Sequence, residues 1–156
     1  MPVRSLALFA LVLTAAPARA QTRAADVVAW SARAEGGARG AAARVVFSAT
    51  LAPGWKMYAL DSPVGRPLAV ALDGLPAGVT AGAPRQTGAH RGHDAAFGAE
   101  ASTFTGTARI EQPLTVSRRA AAGLAVVSGT VRYAVCDAEI CLPPASAPFR
   151  VTLRVQ

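Results

Sequence analysis

The chain has 156 residues, a length that suits one domain with its own hydrophobic core. Its formal net charge is +7, but the arginines are scattered and not interleaved with aromatic residues, so no nucleic-acid partner is expected. After the first twenty residues no stretch approaches about 18 consecutive apolar residues, which excludes a membrane-spanning helix from the rest of the chain.

The first twenty residues have the pattern of a cleavable signal peptide. Arg4 supplies the positive charge, residues 6–16 form an apolar stretch, and Ala18-Arg19-Ala20 matches an A-x-A cleavage site. We therefore expect an exported protein that matures near Gln21. Exported compartments permit disulfides, which gives an even number of cysteines a structural meaning.

The mature chain is predicted to open with a loose lead-in over residues 21–43. This part is rich in Ala, Gly and Arg with little periodicity, although Val27, Val28 and Trp30 are expected to dock on the domain. From Arg44 the pattern changes to strict alternation, because Val45, Phe47, Ala49 and Leu51 are separated by mostly polar residues. A half-buried strand over 44–51 follows, and Pro53-Gly54 then predicts a turn before residues 55–60.

The alternation continues to the end of the chain. A short strand is predicted over 68–72, a mostly irregular stretch over 75–98 with room for a strand at Val79, and one or two strands over 103–116. Residues 124–136 form the longest predicted strand, and 149–155 the last. No segment of the mature chain has a sustained helical stripe. We therefore predict an all-β fold, an antiparallel β-sandwich, over residues 44–156.

The sequence contains two cysteines, Cys136 and Cys141, at the end of the longest predicted strand. By strand parity Cys136 lies with Thr130 and Arg132 rather than with the buried valines, so we expect it to be reachable from outside. The connection 137–140 is short enough for a hairpin that brings the two sulfurs within bonding distance.

Two interpretations of this pair remain open at this point. A bond across so small a loop would be a structural staple that contributes about 2 kcal/mol, and the chain would then be a non-catalytic adaptor. Alternatively, the pair exchanges electrons with other thiols through a mixed disulfide. Asp137 and Glu139 disfavour a nearby thiolate, so we do not expect a strongly activated nucleophile.

Three segments resemble one known family. The stretch GTVRYAVCDAEICLPP is similar to the cysteine motif of the N-terminal periplasmic domain of the thiol:disulfide interchange protein DsbD, also called the disulfide bond corrector family. LAPGWKMYALDSP resembles its Gly-Trp-x-x-Tyr segment, and DAAFGAEASTFTG resembles its cap-loop segment. The three lie in the family's order and span most of the mature chain.

The resemblance implies an immunoglobulin-like domain in the periplasm that works without a cofactor. Such a domain takes electrons from a membrane-embedded thiol reductase and passes them to periplasmic thioredoxin-like or disulfide isomerase proteins. Cys141 matches the cysteine that joins the target, and Cys136 matches the one that resolves the mixed disulfide. Phe97 matches the loop that covers the pair, and Asp94 and Tyr58 match positions that line the site.

The chain departs from the family pattern in two ways. Ala96-Phe97 stands where members often have two adjacent aromatic residues. Full-length members continue into a multi-helix membrane domain and a thioredoxin-like domain, whereas this sequence ends at Gln156. We therefore expect a stand-alone form that borrows its electron donor, or a relative that has left the relay.

Other candidate residues have ordinary explanations. His90 and His93 suggest a metal site, but histidines in a glycine-rich stretch are commonly solvated, and no recognised ligand spacing is present. Trp30 and Trp55 are expected to pack in or beside the core. We find no Ser-His-Asp arrangement and no phosphate-binding loop, so neither a hydrolase nor a nucleotide-binding protein is indicated.

Overall fold

A computed structural model describes residues 21–156, and the predicted signal peptide lies outside these residues. Within them the chain forms one short helix and twelve strands. No helix in this part of the chain is long and apolar enough to cross a membrane. The elements are α1 (Ala24–Val27), β1 (Val28–Gly36), β2 (Ala42–Leu51), β3 (Lys56–Tyr58), β4 (Ala69–Gly74), β5 (Val79–Ala81), β6 (Arg85–Thr87), β7 (His90–Asp94), β8 (Ala99–Thr105), β9 (Thr107–Val116), β10 (Gly123–Tyr133), β11 (Val135–Cys136) and β12 (Ala145–Val155).

The strands form three sheets with antiparallel pairing, as the alternating sequence pattern predicts. The first sheet has the order β1-β2-β9-β5, with β6 also paired to β9. The second has the order β12-β10-β4, and the third β11-β3-β8-β7. The third sheet contains Cys136 on β11 and the strand β3 that pairs with it, so it is the sheet that builds the site.

One hydrophobic core joins the inward faces of the three sheets. On β2 the predicted apolar set is buried, which confirms the strand expected over 44–51. The third sheet contributes Met57 and Val135, among others, to this core. Along their strands these residues alternate with the residues of the disulfide site. The largest fully buried side chains of this core are Phe47, Met57, Phe104, Ile110, Leu114 and Leu153.

The expectation of a loose lead-in over 21–43 is wrong. Residues 28–36 form β1, which pairs with β2 along its whole length, from Val28 opposite Leu51 to Gly36 opposite Ala43. The strand does alternate, but its inward positions after Trp30 are alanines, whose small apolar surface gives a weak periodic signal. Trp30 packs against Tyr133 with ring centroids 5.4 Å apart.

The stretch 75–98 is also more ordered than expected, because β5, β6 and β7 all lie within it. These short strands are held by backbone pairing to β9 and β8, and their own side chains are largely exposed, so they leave little apolar pattern. The segment 103–116 belongs to two strands. They are divided at Gly106, whose φ of +70° suits glycine.

The chain changes sheets immediately before the first cysteine. β10 ends at Tyr133 in the second sheet, and β11 begins at Val135 in the third, where it pairs with β3. The longest predicted strand is therefore interrupted at Ala134. This crossing places Cys136 beside β3, with Cys136 directly opposite Lys56.

Candidate functional site

Cys136 and Cys141 form a disulfide across a tight hairpin. Their Cα atoms lie 4.0 Å apart, and the two residues also form an antiparallel bridge. The N–H of Leu142 donates to the carbonyl of Val135 at 3.0 Å, and the N–H of Asp137 donates to the carbonyl of Ile140 at 2.9 Å. The predicted hairpin is confirmed.

Asp137 shapes the turn between the cysteines. Its Oδ1 accepts hydrogen bonds from the N–H groups of Ile140 at 2.7 Å and Glu139 at 2.8 Å. These two bonds lower the pKa of the Asp137 carboxyl, because they favour its charged form. The carboxylate therefore fixes the backbone that presents Cys141.

The two cysteines differ sharply in exposure. Cys141 is exposed, whereas Cys136 is only 1% exposed, so the expectation that Cys136 is reachable from outside is wrong. Cys136 does lie on the face that strand parity predicts, opposite that of Val135. That outer face of the third sheet is covered, however, and Cys136 clusters there with Tyr58 and Val64. Strand alternation alone cannot reveal a loop that folds over a sheet.

The covering segment, residues 59–65, is anchored by side chains. The N–H of Leu60 donates to Gln86 Oε1 at 2.6 Å, and Gln86 Nε2 donates to Asp61 Oδ1 at 2.6 Å. Arg91 donates to Asp61 Oδ2 at 2.9 Å. Arg91 is the main cause that lowers the pKa of Asp61 to about 2. The segment is thereby tied to β6 and β7.

Tyr58, Asp94 and Lys56 form a hydrogen-bonded group beside the disulfide. The Tyr58 hydroxyl donates to Asp94 Oδ2 at 3.0 Å, and its Oη lies 3.6 Å from Cys136 Sγ. The Lys56 ammonium donates to the same Asp94 Oδ2 at 2.9 Å. Asp94 Oδ1 accepts the N–H of Ala96 at 3.0 Å, so both carboxylate oxygens are satisfied.

The charge states of this group follow from its bonds. Burial raises the pKa of Asp94, but Lys56, Tyr58 and the Ala96 N–H lower it by more, so the carboxyl is ionised. Burial, reinforced by the Asp94 carboxylate, raises the pKa of Tyr58 well above its ordinary value. A protonated hydroxyl and a compensated ion pair therefore lie beside the disulfide.

Phe97 lies in the turn that joins β7 to β8, residues 95–98, which we call the Phe97 turn. Its ring packs edge-on against Tyr58, with centroids 5.8 Å apart and an interplanar angle of 83°. The residue is 49% exposed. Phe97 thus contacts the ring of the tyrosine whose hydroxyl lies beside Cys136 Sγ.

The structure brings all five predicted site residues together. It also adds Lys56, which sequence reasoning did not single out as a site residue. A signal was present, because Lys56 is the one lysine of the chain and lies two residues before Tyr58, on the same face of a strand.

The two histidines do not converge on a site. His90 and His93 both lie on β7, where a spacing of three residues directs their side chains to opposite faces. Within residues 21–156 no group of three or more metal-ligating side chains comes together.

Comparison with known proteins identifies the family. The family described as thiol:disulfide interchange protein DsbD, N-terminal, matches residues 24–153. The chain belongs to this family. None of the curated protein sequences compared with the chain matches it.

Two solved structures are similar to the chain. The N-terminal domain of Neisseria meningitidis DsbD in the reduced form has 20% identity and a TM-score of 0.48, with 72% of this chain and 82% of that chain covered. The N-terminal periplasmic domain of ScsB from Proteus mirabilis has 14% identity and a TM-score of 0.50. That comparison covers 82% of this chain and 45% of the ScsB chain.

Membership of the DsbD N-terminal family confirms the resemblance found in the sequence motifs. The fold is the predicted immunoglobulin-like antiparallel β-sandwich. The chain is a thiol–disulfide interchange domain with a disulfide-forming cysteine pair.

Proposed function

We propose that this chain is a periplasmic relay domain for electrons, with Cys136 and Cys141 as its redox pair. It takes electrons from a membrane-embedded thiol reductase and passes them to periplasmic thioredoxin-like or disulfide isomerase proteins. Family membership supports the chemistry. The observation that carries the assignment of roles is the contrast between an exposed Cys141 and a buried Cys136.

Delivery of electrons starts from the reduced pair. The Cys141 thiolate attacks a sulfur of the target disulfide, and the other target sulfur leaves as a thiolate. The Cys136 thiolate then attacks Cys141 Sγ, which releases the second target thiolate and restores the disulfide of the relay domain. The target gains two electrons and the cysteine pair loses two, so the exchange requires no cofactor.

Reloading reverses these bonds. A thiolate of the membrane-embedded donor attacks Cys141 Sγ, and Cys136 leaves as a thiolate. A second donor thiolate then resolves the mixed disulfide and leaves both cysteines of the relay domain reduced. Tyr58, Asp94 and Phe97 line and shelter the site where these steps occur.

A mixed-disulfide trap tests the assignment. The Cys136→Ala variant keeps the exposed attacking sulfur and lacks the resolving one, so it is expected to accumulate a disulfide-linked complex in a periplasmic extract. Cys141→Ala is the matched control and should trap nothing, because its remaining sulfur is buried. Equal trapping by both variants, or by neither, would contradict the proposed roles.

The reduction potential of the wild-type pair is a second readout of the same proposal. Structural disulfides of exported proteins typically lie below about −300 mV, and a relay pair should lie above that value. A potential below it would favour the adaptor interpretation, in which the bond is a staple.

A further inference from the structure

The one lysine of the sequence lies beside the disulfide. Lys56 on β3 is the register partner of Cys136 on β11, and directly paired residues on antiparallel strands project to the same face. Their Cβ atoms are then about 5 Å apart. Lys56 is therefore a cross-strand neighbour of the sulfur that leaves when Cys141 is attacked.

The ammonium of Lys56 is held within the site. Its side chain is 27% exposed, and that of its partner Asp94 is 2% exposed. The Asp94 oxygen that accepts the ammonium also accepts the Tyr58 hydroxyl, whose oxygen is 3.6 Å from Cys136 Sγ. One short chain of contacts thus connects Lys56 with the sulfur.

Attack on Cys141 creates a charge in an unfavourable place. The electron pair of the disulfide moves to Cys136 Sγ, which becomes a thiolate at a position that is 1% exposed. Burial of an anion is costly unless hydrogen bonds or an opposite charge compensate it. The Tyr58 hydroxyl lies at hydrogen-bonding distance from this sulfur, but its one proton is donated to Asp94 and the group is neutral, so it supplies no compensating charge.

The other charged and titratable groups near Cys136 are mostly unfavourable or more remote. Asp94 is a buried anion on the same face, and Asp137 and Glu139 are acidic residues of its own hairpin. His90 lies on the same face but two strands from Tyr58, about 10 Å away. Arg66, beyond the covering segment, is exposed.

We propose, on the basis of the relay function above, that Lys56 is a charge-compensating and positioning residue of the site. Its ammonium balances the Asp94 carboxylate and stabilises the thiolate released at Cys136. The attacking thiolate forms a new bond to Cys141 Sγ, the old disulfide breaks, and the negative charge arrives opposite Lys56. No proton transfer is required in this step.

The positive charge of Lys56 determines the direction in which it shifts the redox equilibrium of the cysteine pair. A stabilised thiolate favours the reduced pair, so Lys56 makes the disulfide easier to reduce. Without Lys56 the Asp94 carboxylate faces the new thiolate alone. The Cys136 thiol should then ionise at a higher pH, and the disulfide should resist reduction.

Opposite substitutions provide the test. In a Cys141→Ser background, thiolate absorbance is followed against pH. Lys56→Met should raise the midpoint for Cys136 by about one pH unit, a tenfold change, and Asp94→Asn should lower it by a similar amount. Lys56→Arg should restore most of the wild-type value. Arg150→Gln removes an exposed cation of β12, in the second sheet, and should shift nothing.

The same variants in the intact pair should shift the equilibrium with glutathione. At a pH above the Cys136 midpoints of both proteins, where the reduced form is the thiolate, Lys56→Met should favour the disulfide about tenfold relative to wild type, and Lys56→Arg should restore the balance. Shifts in the same direction for Lys56→Met and Asp94→Asn would indicate loosened packing and overturn the proposal, as would no shift in either. If Lys56→Met does not fold, the Asp94→Asn variant provides the test by itself. An unchanged Cys136 midpoint in Asp94→Asn then overturns the proposal.

The thiolate titration is independent of any relay partner. A wild-type protein that never exchanges with a partner, but whose Cys136 midpoint responds to Lys56, would contradict the relay function and retain the electrostatic role. If the wild-type protein exchanges normally with a partner but the Cys136 midpoint does not change when Lys56 is substituted, only the proposed role of Lys56 is contradicted.

Discussion

At the scale of single residues, Gly65 controls how closely the covering segment approaches the site. A Cβ built on Gly65 would lie 2.7 Å from ring atoms of Tyr58, and its φ of +75° is one that other residues rarely adopt. The absence of a side chain therefore lets the backbone rest directly on the ring. The ring in turn supports the hydroxyl that contacts both Asp94 and Cys136.

We predict that Gly65→Ala destabilises the protein by more than about 1 kcal/mol, because the added carbon is incompatible with both the backbone angle and the ring. Urea unfolding measures the loss. Gly54→Ala is the matched control, since Gly54 has a similar φ of +85° but open space around the Cβ position. If both variants lose equal stability, the contact with Tyr58 contributes nothing and only the backbone angle matters.

Part of the site could be predicted from the sequence. The cysteine pair follows from its residues and spacing, and the positions of Tyr58, Asp94 and Phe97 follow from the resemblance to the family. The role of Lys56 follows from strand register, since it becomes a neighbour of Cys136 only when β11 pairs with β3. That pairing joins residues far apart in the sequence, and no local pattern encodes it.

At the scale of elements, the Phe97 turn is the proposed cover of the site, and it can open without disturbing the core. Its contact with the site is one ring packed on Tyr58, and Phe97 remains 49% exposed. Segments with few buried contacts open at low free-energy cost. The covering segment has more anchors, through Gln86 and Asp61, and should open less readily.

We predict that Phe97→Ala increases the alkylation rate of Cys136 about fivefold in a Cys141→Ser background, since an aromatic pair contributes about 1 kcal/mol. A thiol-reactive probe measures the rate under native conditions. Leu124→Ala is the control, because Leu124 is an exposed apolar residue at the start of β10, away from the cysteine end. Equal rates in wild type and Phe97→Ala would remove the turn from the cover of the site.

Alternation predicts elements whose outward and inward faces differ strongly. It located β2, most of β10 and the last part of β12, because apolar side chains such as Val45, Val127 and Leu153 face inward there. It missed β1, whose inward positions are mostly alanines, and also β6 and β7, which are held by backbone bonds, whereas the strand allowed at Val79 is present as β5. It also placed Cys136 on the correct face and still misjudged its exposure, because covering loops leave no periodic signal.

At the scale of the whole molecule, the disulfide and the core are separate. Val135 belongs to the main core, whereas the next residue, Cys136, belongs to a small cluster with Tyr58, Ala101 and Ala134 on the other face of the third sheet. The core joins residues from all three sheets. The sandwich can therefore keep its structure while the bond on its outer face opens and closes.

We predict that removal of both cysteines leaves the fold intact and lowers the free energy of unfolding by about 2 kcal/mol, the amount expected for so short a loop. Cys136→Ala with Cys141→Ser is the suitable pair, because alanine leaves no unpaired hydroxyl at the buried position, and serine suits the exposed one. Circular dichroism and urea unfolding compare this variant with oxidised and reduced wild type.

The reduced wild type and the double variant should be about equally stable, since both lack the bond and retain the core. A double variant that fails to fold, beside a reduced wild type that unfolds, would mean that the hairpin is needed to hold the third sheet against the other two. The bond would then be a structural staple. A domain that must open this bond in every working cycle cannot also depend on it for its fold.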